Sequence, residues 1–240
     1  MELLFREDPY LQSCEATVTA VSPEGLHVDR TVFYPEGGGQ PGDTGVLIRA
    51  SGEEVRILDT RKGDGDDEVV HLLEEGAQLP DVGENVELRI DWDRRHRLMR
   101  MHTSLHLLCS LVQGDVTGGQ ISDGKARLDF NLPDGAPDKG WLNEELNALV
   151  QRAIPVSVLW ATDEELDQSP ELVRTLSVKP PRGSGRVRML QIEGVDLQPC
   201  GGTHVQNTSE IGRIEVGKIE NKGKQNRRIN LRFASQDTAG

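Results

Sequence analysis

RRHRLMRMHTSLHLLCSLVQ, residues 94–113, is where the chain changes texture. Leu98, Met101, Leu105, Leu108 and Val112 follow at steps of 3, 4, 3 and 4, the spacing that lays apolar side chains along one face of a helix. Gly114 fits the end of that helix. Upstream there is no helical period of useful length. Residues 15–21, 26–34, 45–50, 54–59, 69–73 and 85–91 read instead as strands, divided by clusters of Gly, Pro and Asp such as Ser22-Pro23-Glu24-Gly25. Six short strands in so compact a stretch predict a small antiparallel barrel.

Downstream, residues 141–154 read as a second helix after the Pro- and Gly-rich stretch 133–140, and 163–167 as a short third. Thr162 and Glu165 have the spacing of a capping box for it. Strands are expected at 126–131, 155–160, 186–192, 212–220 and 227–234. The fold class is therefore α+β: an N-terminal small antiparallel β-barrel, residues 1–93, followed by an α+β domain, residues 94–240.

The chain carries 40 acidic and 27 Lys and Arg residues, a net charge of −13, which argues at first against a nucleic-acid partner. The distribution reopens the question. Residues 179–232 hold 11 Lys and Arg against 5 Asp and Glu, and Arg94, Arg95, His96, Arg97 and Arg100 form a second basic knot. A phosphate backbone meets that local field rather than the total. No apolar run approaches the ~20 residues that span a bilayer. Glu2, Arg6, Glu7, Asp8 and Glu15 stand where a secretory apolar core would lie. No membrane partner is expected. Cys14, Cys109 and Cys200 are odd in number and far apart, so no disulfide framework is expected and the reducing cytoplasm is the expected compartment. The acidic patch 64–68 lacks the spacing and terminal Glu of a calcium loop and reads as a solvated hairpin tip.

His102 and His106 lie four apart on the 94–113 helix, one turn above another on one face, within reach of a single ion. Thr103 stands where the HExxH zinc proteases have their general base, so that motif is absent. Cys200 and His204 are four apart across Gly201-Gly202, a turn tight enough for thiolate and imidazole to converge. Together the four make a Cys/His₃ set, soft enough for zinc and of the right count for one tetrahedral ion per chain. A Cys200–His204 nucleophilic pair is the alternative. Five glycines within residues 35–45 let a ligand approach the backbone closely, yet match neither the Walker A nor the dinucleotide pattern, and no ATP site is seen.

The HxxxH at 102–106, the CGGTH at 200–204 and YPEGGGQPGDTG at 34–45 together resemble the editing domain of alanyl-tRNA synthetase and, still more, the free-standing alanyl-tRNA editing proteins of the AlaX family. The threonyl-tRNA synthetase editing domain shares the His and Cys halves, but the Gly-rich segment is similar to the alanine branch. The resemblance implies a zinc-dependent hydrolase acting in trans on tRNA(Ala) carrying serine or glycine, with a barrel preceding a zinc-binding editing domain. It places zinc on His102, His106, Cys200 and His204. Four protein ligands close a tetrahedron, whereas catalysis needs an open position. Either one ligand yields, or the metal takes a fifth, or it grips the substrate amine. Thr31, just before the Gly-rich segment, is a candidate partner for the serine hydroxyl, the alternative being a β-branched strand residue, and the resemblance points to Gln120 as a polar active-site residue. Gly37, Gly38, Gly39 and Gln40 would line the substrate pocket. Arg94, Arg95, Arg97, Lys218, Lys222, Lys224, Arg227 and Arg228 would follow the tRNA backbone, while Cys14 and Cys109 would be inert packing residues. A non-catalytic zinc-stabilised tRNA-binding module, a threonyl-type editing domain and a small-molecule zinc hydrolase are the competing readings.

Overall fold

Alternation governs the N-terminal strands. β2 (Ser13–Ser22) turns Ala16 and Val18 inward, β3 (Gly25–Val28) Leu26 and Val28, and β5 (Gly45–Arg49) Leu47. β6 (Glu54–Lys62) adds Val55 and Ile57, and β8 (Asn85–Ile90) adds Val86, Leu88 and Ile90, all packed as one core. With β7 (Val69–Leu73) they close an antiparallel barrel in the order β2-β3-β7-β6-β5-β8. Closure removes the exposed edges that an open sheet of this length would present. The long strand expected over 26–34 is broken. Asp29 donates its N–H to Thr17 O (3.0 Å) and accepts from Thr17 N on its carboxylate (2.7 Å), which ends β3. The chain resumes as β4 (Arg30–Thr31), parallel to β1 (Glu2–Leu3), with the one-turn helix α1 (Leu4–Glu7) after β1.

The computed structural model describes residues 1–65, 67–168 and 186–235, and the chain divides into two compact units, Met1–Arg97 and Leu98–Gly240. The division falls within α2 (Trp92–Leu111). That helix starts two residues before its apolar period suggests because the Asp91 carboxylate accepts from Arg94 N (3.1 Å), a capping contact that the sequence pattern did not reveal. From Leu98 to Cys109 every residue but Arg100 is buried. The expected one-sided stripe is thus a helix enclosed on all sides, and Thr103 and Ser104 enter it by donating their hydroxyls to Met99 O and Met101 O.

In the second unit, β9 (Asp115–Ser122), β10 (Lys125–Asn131), β14 (Ile214–Asn221) and β15 (Asn226–Phe233) form an antiparallel sheet in the order β14-β15-β10-β9. α3 (Lys139–Gln151), capped by the Asp138 side chain on Trp141 N, buries Leu142, Leu146, Leu149 and Val150. It also covers an edge of the sheet. Asn143 and Asn147 accept from Val216 N and Ile214 N (both 3.1 Å), hydrogen bonds that an added strand would otherwise take. A second sheet runs β11-β12-β13, from β11 (Val156–Thr162), β12 (Arg186–Ile192) and β13 (Asp196–Pro199). The capping box expected for α4 (Asp163–Gln168) is present, with Thr162 N on Glu165 Oε2 (2.7 Å) and Glu165 N on Thr162 Oγ1 (3.1 Å). At the acidic patch, Glu68 accepts from Gly65 N, while Asp66 lies outside the described residues, as do residues 179–185 of the basic segment. Among the described residues no helix is long and apolar enough to cross a membrane.

Candidate metal centre

α2 presents His102 and His106 on one face, ring centres 5.6 Å apart. The other half follows β13. Cys200 N donates to Arg188 O (3.0 Å), extending the ladder by one step, and buried Arg188 donates through Nη1 to Cys200 O (2.8 Å) and Gly202 O (2.9 Å). The Cys-Gly-Gly turn is thereby pinned by its carbonyls, and it delivers the His204 ring to 4.2 Å from that of His102 and 5.0 Å from that of His106. Cys200 Sγ lies 3.1 Å from His204 Nε2 and 3.6 Å from His102 Nε2, and the four donor atoms fall within 4.8 Å of one another. Such spacings suit donors about 2.0–2.3 Å from a common centre.

The ring nitrogens are sorted by what their far sides touch. A carboxylate can only accept, so the 2.8 Å contact of His106 Nδ1 with Asp196 Oδ2 places a proton on Nδ1 and leaves Nε2 as donor to an ion. Thr103 spends its hydroxyl proton on Met99 O (2.9 Å) and so accepts at 3.3 Å from His204 Nδ1, with the same consequence for His204. Burial alone would raise the Cys200 thiol, but the His102 and His204 charges outweigh it and hold it well below the ordinary thiol range. Burial, reinforced by His102, drives His204 well below an ordinary imidazole. At His106 burial is opposed and overcome by Asp196 and Cys200, which raise it to about 10. A thiolate among oriented imidazoles, all but Cys200 nearly excluded from water, can hold a metal ion. All four residues were named from spacing alone. Asp196 and Arg188 were missed; for Asp196 the available signal was a carboxylate four residues before Cys200 on the same connection.

Residues 187–230 match the family described as threonyl and alanyl tRNA synthetase second additional domain, and residues 9–94 match class II (A) tRNA synthetases. An alanyl-tRNA editing protein AlaX-M of Methanosarcina barkeri is 39% identical over 238 residues, covering 95% of this chain and 97% of that protein. AlaX-M of Saccharolobus solfataricus is 35% identical over 232 residues, again 95% and 97%. AlaX-L of Pyrococcus horikoshii is 34% identical over 241 residues, covering 95% of this chain and 57% of that protein. This chain belongs to the AlaX family of alanyl-tRNA editing proteins.

In this AlaX-family chain Thr31 and the Gly-rich segment belong to the first unit and Gln120 to the second. Thr31 is buried in the first unit. Its oxygen accepts from Phe33 N (3.0 Å) and its hydroxyl meets His71 Nε2 (2.9 Å), while His71 Nδ1 contacts Leu26 O (3.2 Å). Because Leu26 O can only accept, His71 carries its proton on Nδ1 and takes the Thr31 proton on Nε2. One lone pair of the threonine oxygen is left. The Gly-rich segment is a tight turn: Gly37 and Gln40 exchange both backbone hydrogen bonds (3.0 Å each), and Gly38 and Gly39 have φ of 59° and 83°. Two consecutive positive φ values are the type I′ requirement, so these glycines answer to the turn before any ligand. Gln40 is fully buried. Gln120 sits on β9, its side-chain oxygen accepting from Arg127 Nε (3.3 Å) and Nη2 (3.2 Å).

One expected phosphate contact is corrected. Arg95 is fully buried, its guanidinium spread over the Asp43 carboxylate, Pro9 O (3.0 Å) and Val32 O (2.7 Å). A cation desolvated and committed in this way is part of the first unit's interior, and no phosphate reaches it. Arg94 donates to Gly42 O (2.8 Å) and Arg97 is half-buried. Arg228 grips Asp129 through Nε (2.7 Å) and Nη2 (2.8 Å), and Arg227 caps carbonyls of the β14–β15 hairpin. Lys218 and Lys222 flank Glu220 at 3.6 Å, and Lys224 is exposed at the hairpin.

Proposed function

We propose that this chain is a trans-editing hydrolase that removes serine, and with it glycine, from tRNA(Ala), working in the cytoplasm with one zinc ion held by His102, His106, Cys200 and His204. The observation that carries the reading is the convergence of those four donors, three imidazoles and one thiolate, in a chain of the alanyl-tRNA editing family. The reaction adds water across the aminoacyl ester, giving the free amino acid and a 3′-terminal hydroxyl. Bound zinc would supply a Lewis acid that polarises the ester carbonyl or lowers the pKa of water toward ~7.

The chain's own contribution is orientation and exclusion of water. Arg188 holds the Cys-Gly-Gly turn, Asp196 and Thr103 fix two imidazoles, and burial keeps competing solvent from the donors. Reading of the side chain is assigned to Thr31. With its proton sent to His71, its oxygen can only accept, which suits the donating hydroxyl of serine and leaves a methyl group unpaired. The Gly37–Gln40 turn is assigned to the substrate. The exposed Lys218, Lys222 and Lys224 are assigned to the RNA backbone, with Arg94, Arg97, Arg227 and Arg228 beside them, where cations position without reading sequence.

The test is ester loss from Ser-tRNA(Ala), Gly-tRNA(Ala), Ala-tRNA(Ala) and Ser-tRNA(Ser), with and without a zinc chelator. Loss confined to the first two and abolished by the chelator is expected. A folded, zinc-loaded protein that binds tRNA without cleaving it would be the non-catalytic module instead, and cleavage of simple free esters would indicate a small-molecule hydrolase.

A further inference from the structure

The donor set leaves a charge to be accounted for. One thiolate and three neutral imidazoles around a dication sum to +1, in a place where the His106 and Asp196 side chains are only 9% and 6% exposed. An uncompensated charge so far from water is costly. Asp196 brings a carboxylate to the donor set, its Oδ2 standing 2.8 Å from His106 Nδ1. Its other oxygen is not idle: Gln198 Nε2 donates to Asp196 Oδ1 at 2.7 Å. Both residues lie on β13, the strand that leads directly into Cys200, so the strand carrying the thiolate also carries the carboxylate that faces the opposite half of the set.

We infer that Asp196, held by Gln198, is a positioning residue that fixes His106 with Nε2 toward the ion and sets a negative charge behind that ligand, making the chain Gln198–Asp196–His106 a determinant of metal affinity. Partners of this kind, beyond the atoms that touch the ion, commonly change affinity by about 10–100-fold when removed. Among the described residues, His204 Nδ1 meets a neutral hydroxyl, that of Thr103 at 3.3 Å. The two imidazoles are therefore unequal: His106 is the anchored, more strongly donating ligand and His204 the weaker one.

This inference rests on the zinc-dependent reading above, and its test separates the two. Zinc affinity of the full chain is measured by competition with a chromogenic chelator for wild type, Asp196→Asn and Gln198→Ala, alongside the melting temperature of each metal-free protein. Asp196→Asn is expected to bind zinc about 10–100-fold more weakly, and its metal-free melting temperature, lowered by loss of the buried partner of His106, shows whether it still folds; Gln198→Ala should weaken binding in the same direction and by less. Cobalt substitution adds a spectroscopic check, since the thiolate-to-cobalt band of Cys200 should persist in Asp196→Asn. Affinity within about threefold of wild type in a folded Asp196→Asn protein overturns the assignment. If Asp196→Asn does not fold, Gln198→Ala decides, and unchanged affinity there overturns it. A wild type that takes up no zinc sinks the metal reading and this inference with it. A wild type that takes up zinc but leaves Ser-tRNA(Ala) intact sinks the proposed activity alone.

Discussion

His71 shows how a single side chain can hold a hydroxyl in one direction. Burial pushes it down to about 4 from an ordinary 6.5, only partly offset by its bond to Leu26 O, so at neutral pH it is an uncharged acceptor for Thr31. The consequence for stability has a definite sign. Between pH 6.5 and 4 the unfolded chain binds a proton at this site that the folded chain refuses. The stabilisation is therefore complete above 6.5 and declines as pH falls toward 4, by about 3 kcal/mol in all. Urea titrations of wild type and His71→Gln at pH 7 and pH 4.5 should show the gap between the two proteins shrinking by about 2 kcal/mol at the lower pH. Parallel losses in both proteins would mean that His71 is not the group responsible. At this scale the convergence of His102, His106, Cys200 and His204 was legible because four-residue spacing forces proximity on a helix and in a Gly-Gly turn. Arg95 was misread because nothing in Arg94-Arg95-His96-Arg97 says which guanidinium turns inward. Only the folded first unit, which places Asp43 against it, decides that.

Elements were legible where one period or one cap dominated. The six barrel strands, α3, α4 with its capping box, and β10, β12, β14 and β15 all follow from alternation, helical spacing or Thr162/Glu165. β9 escaped because Gly118-Gly119 dilutes its side chains, and β13 because four residues, DLQP, carry no readable period. That second omission hid Asp196. The glycines of the Gly-rich segment also divide at this scale. Gly38 needs only a positive φ, and a Cβ there would meet nothing within 4 Å. Gly42 needs space, since its Cβ would stand 2.0 Å from Thr60 O, on a neighbouring strand's backbone. Thermal melts should accordingly find Gly38→Asn close to wild type, because Asn tolerates the left-handed region, and Gly42→Ala destabilised by about 1–3 kcal/mol. The reverse ranking would show that the turn, rather than the close approach, is what this segment is built around.

For the whole molecule, the puzzle is how a chain of net charge −13 holds an RNA. At about 0.15 M salt, charges more than ~8 Å away are largely screened, so acidic residues elsewhere count for little against cations in contact with phosphate. Binding should then scale with the number of contacts rather than with net charge. Of the lysines assigned to the backbone, Lys224 is exposed and Lys218 and Lys222 share Glu220 at 3.6 Å, a loose pairing that a phosphate can replace. Each cation that displaces a counterion adds close to one unit to the slope of log affinity against log salt. Replacing all three by Gln should weaken tRNA binding and flatten that slope by about 2 to 3 units. Asp196→Asn, which alters the metal centre alone, should shift zinc affinity and leave the slope as it is. Filter binding of tRNA(Ala) across a salt series reads the RNA affinity and its slope together. A triple variant with an undiminished slope would place the phosphate contacts elsewhere on the chain.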